Sequence, residues 1–258
     1  MQQGELIALI ERTALPHLAA AWDHSGLQVA AERAEINLLA VCLDPTPAVI
    51  RSALDNGADM ILSHHPLVMQ PRFLDQLDAF HEAARLLLCA NVPLYAAHTP
   101  LDANPRGPVT WLAHELDLCD LAVLEPAAVP GYGFGVAGRL PAPLSSPELL
   151  ERLAPRLQGR HAVLAGPELP EAPITLIALC PGSGGSLLRA AAAAGAAVMI
   201  TGNVKYHTAL ESPISILDVG HFLLEEEMMR RFAMTLSLAL PVTFIPGRDP
   251  MRPLPATF

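Results

Sequence analysis

The chain has 258 residues, 52% of them hydrophobic and 16% charged, with a formal net charge of −10. That length and apolar content allow one large domain or two small ones around a sizeable core. The acidic balance, without a Lys/Arg cluster, argues against non-specific binding to nucleic acid or an anionic membrane. The four cysteines, Cys42, Cys89, Cys119 and Cys180, show neither C-x-x-C nor disulfide spacing.

The opening MQQGELIALIERT lacks the basic and apolar regions of a signal peptide. Ile7 to Ala21 reads as an amphipathic helix. The longest apolar stretch, Ala190 to Ile200, is too short to span a bilayer. A soluble, cytoplasmic protein is expected.

An internal repeat organises the rest of the chain. INLLAVCLDPTPAVIRSALDNGADMILS begins at Ile36, and ITLIALCPGSGGSLLRAAAAAGAAVMIT begins at Ile174, 138 positions later. Cys42 matches Cys180, Arg51 matches Arg189 and Gly57 matches Gly195. Each copy predicts an apolar strand, a turn, a helix closed by Gly, and a second apolar strand, which is a βαβ unit. The fold class is therefore α/β with duplicated βαβ-containing halves, about residues 1–120 and 121–258, joined by a Pro/Gly-rich stretch. Pro147 to Leu157 is the expected counterpart of the N-terminal helix.

Both copies lead to a short apolar strand that runs into His-x-x-x-acid: His98 to Asp102 and His221 to Glu225. A third run, Ser63-His64-His65-Pro66, ends a strand with two imidazoles. Ligand sites of open α/β sheets lie at such strand ends, and imidazoles with carboxylates suit one or two divalent metals. Adjacent side chains of extended chain point to opposite faces, so His64 and His65 suit two different ions. His221 and Glu225, four apart, share a face if the run opens a helix. Glu226 and Glu227 are better explained by the helix dipole. Pro100 makes the His98–Asp102 run a loop. Asp102 is a good ligand, whereas His98 is left between a ligand, a residue behind a ligand and an acid/base group. His207, after the second repeat, could line the site. His17, His81, His114 and His161 carry no partner pattern.

Two glycine runs need separating. Gly133-x-Gly135-x-x-Gly138 matches a dinucleotide fingerprint, but Pro141 and Pro143 defeat the helix that such a site needs. Gly182-Ser183-Gly184-Gly185-Ser186 lies between strand and helix, where backbone N–H groups could hold an anion or simply make a tight turn.

Several segments, in order, resemble the NIF-three-like dinuclear-metal family, often labelled GTP cyclohydrolase I type 2 homologues. They are WDHSGLQV from Trp22, SHHPL from Ser63, AHTPLD from Ala97, Gly182-Ser183-Gly184, TGNVKYH from Thr201, and Gly220-His221 with Glu225. The resemblance implies intertwined halves, a toroidal homohexamer and two divalent ions per subunit (zinc, iron, manganese or nickel). It implies His64, His65, Asp102, His221 and Glu225 as ligands, with Glu225 bridging. Asn203 replaces an acidic residue usual in the family and His24 an Asn; neither is expected to touch the five ligands. The expected activity is metal-dependent hydrolysis, with His98 or His207 moving protons and Gly182 to Ser186 contacting a nucleotide or another phosphorylated small molecule. If the label holds, the electrophile is C8 of the guanine of GTP. The alternative is a non-catalytic metal-handling or regulatory scaffold.

Overall fold

The computed structural model describes residues 1–157 and 162–251; His161 lies outside them. Two mixed sheets organise the chain. The first has the order β1 (Gly26–Val29), β4 (Leu94–Ala96), β3 (Met60–Ser63), β2 (Leu39–Cys42), β11 (Val242–Phe244). The second has the order β5 (Cys119–Pro126), β6 (Gly133–Leu144), β8 (Ile174–Leu179), β9 (Val198–Thr201), β10 (Ser215–Asp218), β7 (Val163–Ala165). β4, β3, β2 and β11 run parallel, as do β8, β9 and β10. The halves are intertwined because β11 leaves the second half and pairs with β2.

Both βαβ units form as the repeat predicts. β2 leads through the helix Pro47–Asp55 to β3, and β8 leads through Gly185–Ala193 to β9. Gly57 (φ 80°) and Gly195 (φ 87°) close the two helices in the left-handed region that glycine enters without a Cβ clash. Thr46 caps the first helix by accepting from Val49 N–H at 3.3 Å, with Pro47 in the first turn, where its missing N–H costs nothing.

The alternation of strand side chains builds three layers of apolar packing. Leu39, Val41, Met60 and Leu62 share a central cluster with Val198, Ile200 and Leu217, and with Met228 and Phe232 of the helix His221–Leu236. Ala40, Cys42 and Ile61 point the other way, against Ile50 and Leu87. Ala178, Met199 and Ile216 pack outward against Leu188 and Ala191. β2, β3, β4 and β9 are buried on both faces, which explains their continuous apolar runs.

Local details depart from the sequence expectations. The N-terminal helix spans Gln3–Glu11, not Ile7 to Ala21; Leu15 before Pro16 is extended, and only a 3-10 turn, Pro16–Leu18, follows. Its counterpart in the second half, Ser146–Leu153, is present with a Ser145/Glu148 capping box. Gly133, Gly135 and Gly138 lie in β6, so the fingerprint is a strand and the dinucleotide reading stays rejected.

Candidate metal centre

Three chain segments meet at the C-terminal ends of the parallel strands. His64 and His65 follow β3, with both N–H groups donating to Leu43 O at 3.2 and 3.1 Å. His98 follows β4 and caps a one-turn helix, Thr99–Asp102. The loop expected there is thus a short helix, because Pro100 sits in its first turn, where proline is tolerated. β10 ends at Asp218, which accepts from Val204 N–H (2.8 Å) and Gly220 N–H (3.0 Å) and so fixes the turn into the helix that begins at His221. Glu225 lies one turn into that helix.

These residues converge on a buried cluster. The Glu225 carboxylate, with its side chain 5% exposed, stands between two sets of groups. Its Oε1 is 3.7 Å from His64 Nε2, which is also 3.6 Å from Asp102 Oδ1. Its Oε2 is 3.1 Å from His65 Nε2 and 2.7 Å from His221 Nε2, and the two imidazole nitrogens are 3.4 Å apart. His98 packs against both His64 and His65, with ring centroids 5.2 and 5.5 Å apart. Two overlapping triads, His64/His65/His98 and His65/His221/Glu225, bring their donor atoms close enough to hold a metal ion.

Each imidazole is also held from behind at Nδ1. His64 is paired with Ala97 O at 2.8 Å, His65 with Asp44 Oδ1 at 2.7 Å and His98 with Asp23 Oδ1 at 2.9 Å. Such acceptors put the proton on Nδ1 and turn the Nε2 lone pair into the cluster. His221 instead faces the amide of Asn203, whose Nδ2 is 3.1 Å from Nδ1. The expectation that Asn203 stands clear of the ligands is therefore corrected. Its backbone is left-handed (φ 55°), which brings the short side chain back over His221. His24 is exposed, and its carbonyl accepts from Gln28 at 2.6 Å.

Charge in the cluster is tightly coupled. Burial opposes ionisation of Glu225, but the His221 imidazole 2.7 Å from its Oε2 and the charge of His64 beside it hold its carboxyl well below the usual range. Burial also opposes charging of His64 and His65. The carboxylates of Asp102 and Glu225 nevertheless raise His64, and Asp44 with Glu225 raises His65 to about 10. Asp102 is pushed up by burial and by the neighbouring Glu225 charge. Among protein groups alone, His64 and His65 favour the charged form where a cation belongs.

The donor set fits a divalent metal. His64 Nε2 is fully buried without a hydrogen-bond partner. Its carboxylate neighbours at 3.6 and 3.7 Å are too far for hydrogen bonds, but close to the spacing of about 3.3–3.6 Å between two ligands of one tetrahedral ion. Nitrogen and carboxylate donors without thiolate suit zinc, iron, manganese and nickel alike.

The remaining predicted residues lie around this core or apart from it. Gly182 lies against Glu225: a Cβ there would come within 2.2 Å of Oε1. Gly184 N–H already donates to Thr201 Oγ1 at 2.8 Å, so the Gly182–Ser186 turn shapes the wall under Glu225, with only Ser183 and Ser186 exposed. His207 is exposed on the helix Tyr206–Leu210, and its described ring contact is with Tyr206, not the cluster. Glu226 is buried and accepts from Gly247 N–H at 2.8 Å, while Glu227 pairs with Arg231 at 2.9 Å. Both lie beyond the helix's first turn, so the dipole does not explain them.

Sequence reasoning missed the groups behind the ligands. Asp44 follows β2 at the same strand-end level as His65, a position that could have flagged it. Asp23, inside the WDHSGLQV segment, has a buried carboxylate that accepts from His98, Ser25 (2.6 Å), Thr99 N–H (3.1 Å) and the Thr99 hydroxyl. Burial opposes its ionisation, yet these bonds hold it well below the usual carboxylate range.

Comparison with known proteins agrees with this geometry. The profile of the Duf34/NIF3 (NGG1p interacting factor 3) family matches residues 1–250. The chain belongs to the NIF3 family. Among its NIF3 relatives is a GTP cyclohydrolase 1 type 2 homolog from Nostoc, 33% identical over 72% of each chain. NIF3-like protein 1 of Drosophila melanogaster is 29% identical over 90% of this chain and 80% of its own. Reduced HcgD from Methanocaldococcus jannaschii superposes with a TM-score of 0.82 at 26% identity, over 95% of this chain and 98% of that one. Among the described residues, no helix is long and apolar enough to cross a membrane.

Proposed function

We propose that this NIF3 chain is a metal-dependent hydrolase with a dinuclear centre. The division of Glu225 carries the reading, since one carboxylate oxygen faces His64 and the other faces His65 and His221. His64, Asp102 and Glu225 would hold one ion; His65, His221 and Glu225 would hold the other. Two divalent ions there supply Lewis acidity and a water nucleophile at neutral pH. The protein's own groups do the rest. Asp23 fixes His98 through Nδ1, which leaves Nε2 to hold or move a proton beside the cluster. A cleft of about 570 Å³ adjoins His65, with walls that include Pro47, Pro66, Leu67 and Phe80. Its size suits a small molecule.

The names that these relatives carry put GTP first among substrates to try. The exposed Ser183 and Ser186 are the proposed phosphate contacts of the Gly182–Ser186 turn. Cytoplasmic residence and assembly into a homohexamer belong to the same proposal. Exposed Phe73, Leu77 and Leu238 offer apolar surface for that assembly.

The test is elemental analysis of protein purified without chelator, together with GTP hydrolysis. About two ions per chain are expected, with turnover lost on chelation and restored by one added metal. Glu225→Gln should lose both ions, and Glu227→Gln should keep them. Saturation at one ion under excess metal, or turnover indifferent to chelator, would overturn the proposal.

A further inference from the structure

The four imidazoles of the cluster are not held alike. Ala97 O, Asp44 and Asp23 can only accept, so His64, His65 and His98 are fixed with the proton on Nδ1. Asn203 is different, because an amide presents either N–H or C=O by a half-turn of its last torsion. With Nδ2 toward His221 Nδ1, the proton of the neutral ring sits on Nε2 and points at Glu225 Oε2, 2.7 Å away. A proton there occupies the Nε2 lone pair that an ion would need. With Oδ1 turned inward, the proton moves to Nδ1 and the Nε2 lone pair is released. Asn203 therefore supports both the metal-free and the metal-ready ring, whereas a carboxylate would support only the second.

The setting of the residue points the same way. The His221 side chain is 29% exposed and Asn203 is exposed, whereas His64 is fully buried. Asn203 also occupies, 138 positions on, the repeat register of His65. Building on the dinuclear reading, we infer that Asn203 makes the His65–His221 position the exchangeable half of the centre, acting as a two-way partner for the His221 ring.

The left-handed backbone at Asn203 accepts Asp and Gly with little strain, so both variants can be made in the full chain. Chelator-stripped protein is titrated with Zn²⁺ by calorimetry, and release of bound Zn²⁺ to a chelator is timed. The wild type should bind in two steps. Asn203→Asp should strengthen the weaker step by about tenfold or more and slow release of one ion, leaving the stronger step unchanged. Asn203→Gly should weaken the same step. Nitrogen-15 NMR of stripped protein should place the His221 proton on Nε2 in the wild type and on Nδ1 in Asn203→Asp. Both steps moving together, neither moving, or an unchanged His221 proton would overturn the inference. A wild type that saturates at one ion would remove the dinuclear reading, and this inference with it.

Discussion

The two βαβ units share a backbone but not a chemistry. In each, a strand end passes its carbonyl to the next strand: Ser63 O accepts from Ala97 N–H, and Thr201 O accepts from Val219 N–H, both at 2.9 Å. The side chains at matching positions diverge. His64 and His65 in the first unit correspond to Gly202 and Asn203 in the second, and Asp44 corresponds to Gly182. The first unit thus supplies candidate ligands and a carboxylate behind one of them. The second supplies room. A Cβ on Gly202 would come within 2.4 Å of His221 N, and one on Gly182 within 2.2 Å of Glu225 Oε1. Duplication fixed where strand ends converge, and one asymmetric site required one copy to give up side chains so that the helix from His221 could close over the other.

The largest test of this contrast is Gly202→Ala. The opposing atoms are backbone, which cannot swing aside, so the helix start must shift. A loss of about 2–3 kcal/mol is expected, read as a fall in Tm of about 4–12 °C for a chain of this size. An unchanged melt would show that the second unit's glycines are not needed for closure.

A middle-sized effect separates the units by pH. Asp59 accepts from Asn37 N–H (2.8 Å) and Leu38 N–H (3.1 Å) and pairs with Arg33, whereas its counterpart is Ala197. Burial opposes its ionisation, but the two amides and Arg33 hold its carboxyl below the ordinary value. A depressed folded pKa gives stability that is present above the unfolded pKa, near 3.9, and lost as pH falls through the folded one. Urea unfolding should therefore weaken as the pH drops below about 4. Asp59→Asn should cost about 1–2 kcal/mol at pH 7 and flatten that acid limb. A variant with the wild-type acid slope would show that other carboxylates carry the loss.

The smallest effect concerns the shared arginine. Arg51 pairs with Glu82 on the surface, and its match Arg189 is exposed. Arg51→Ala should change stability by less than about 1 kcal/mol. A larger loss in equilibrium unfolding would give this pair a role that its exposure does not suggest.

Much of the fold was legible because its signals are local. Continuous apolar strands, Gly57 and Gly195 at helix ends, and the His221–Glu225 spacing each report on a few consecutive residues. Strand ends and His-x-x-x-acid spacing pointed to His64, His65, His98, Asp102, His221 and Glu225 as neighbours, and only the family resemblance narrowed these to a set without His98. Asp23 behind His98, Asp44 behind His65 and Asn203 against His221 were not legible, since each pairing joins residues that no periodicity links. The Gly182–Ser186 turn resembles a backbone anion cradle until the Thr201 hydroxyl is seen to occupy the Gly184 amide, which leaves the exposed Ser183 and Ser186 for the proposed phosphate contacts. Glu226 reads as a residue placed by the helix dipole until Gly247 N–H, 21 positions on, is seen to donate to it.

The return of β11 to β2 has a consequence for how the chain folds. Val41 pairs with Phe244 across about 200 intervening residues, so this contact forms late and slowly compared with pairings inside either unit. The stretch from Ile174 to Asp218 can assemble β8, β9 and β10 by itself, whereas a nascent chain that has reached only Pro241 leaves one edge of β2 open. That edge belongs to a strand whose every residue is buried in the finished protein. It is the segment most exposed to wrong pairing during synthesis. Partly made or truncated chains are accordingly expected to aggregate through Leu39–Cys42, and chaperone dependence should end when the strand Val242–Phe244 arrives.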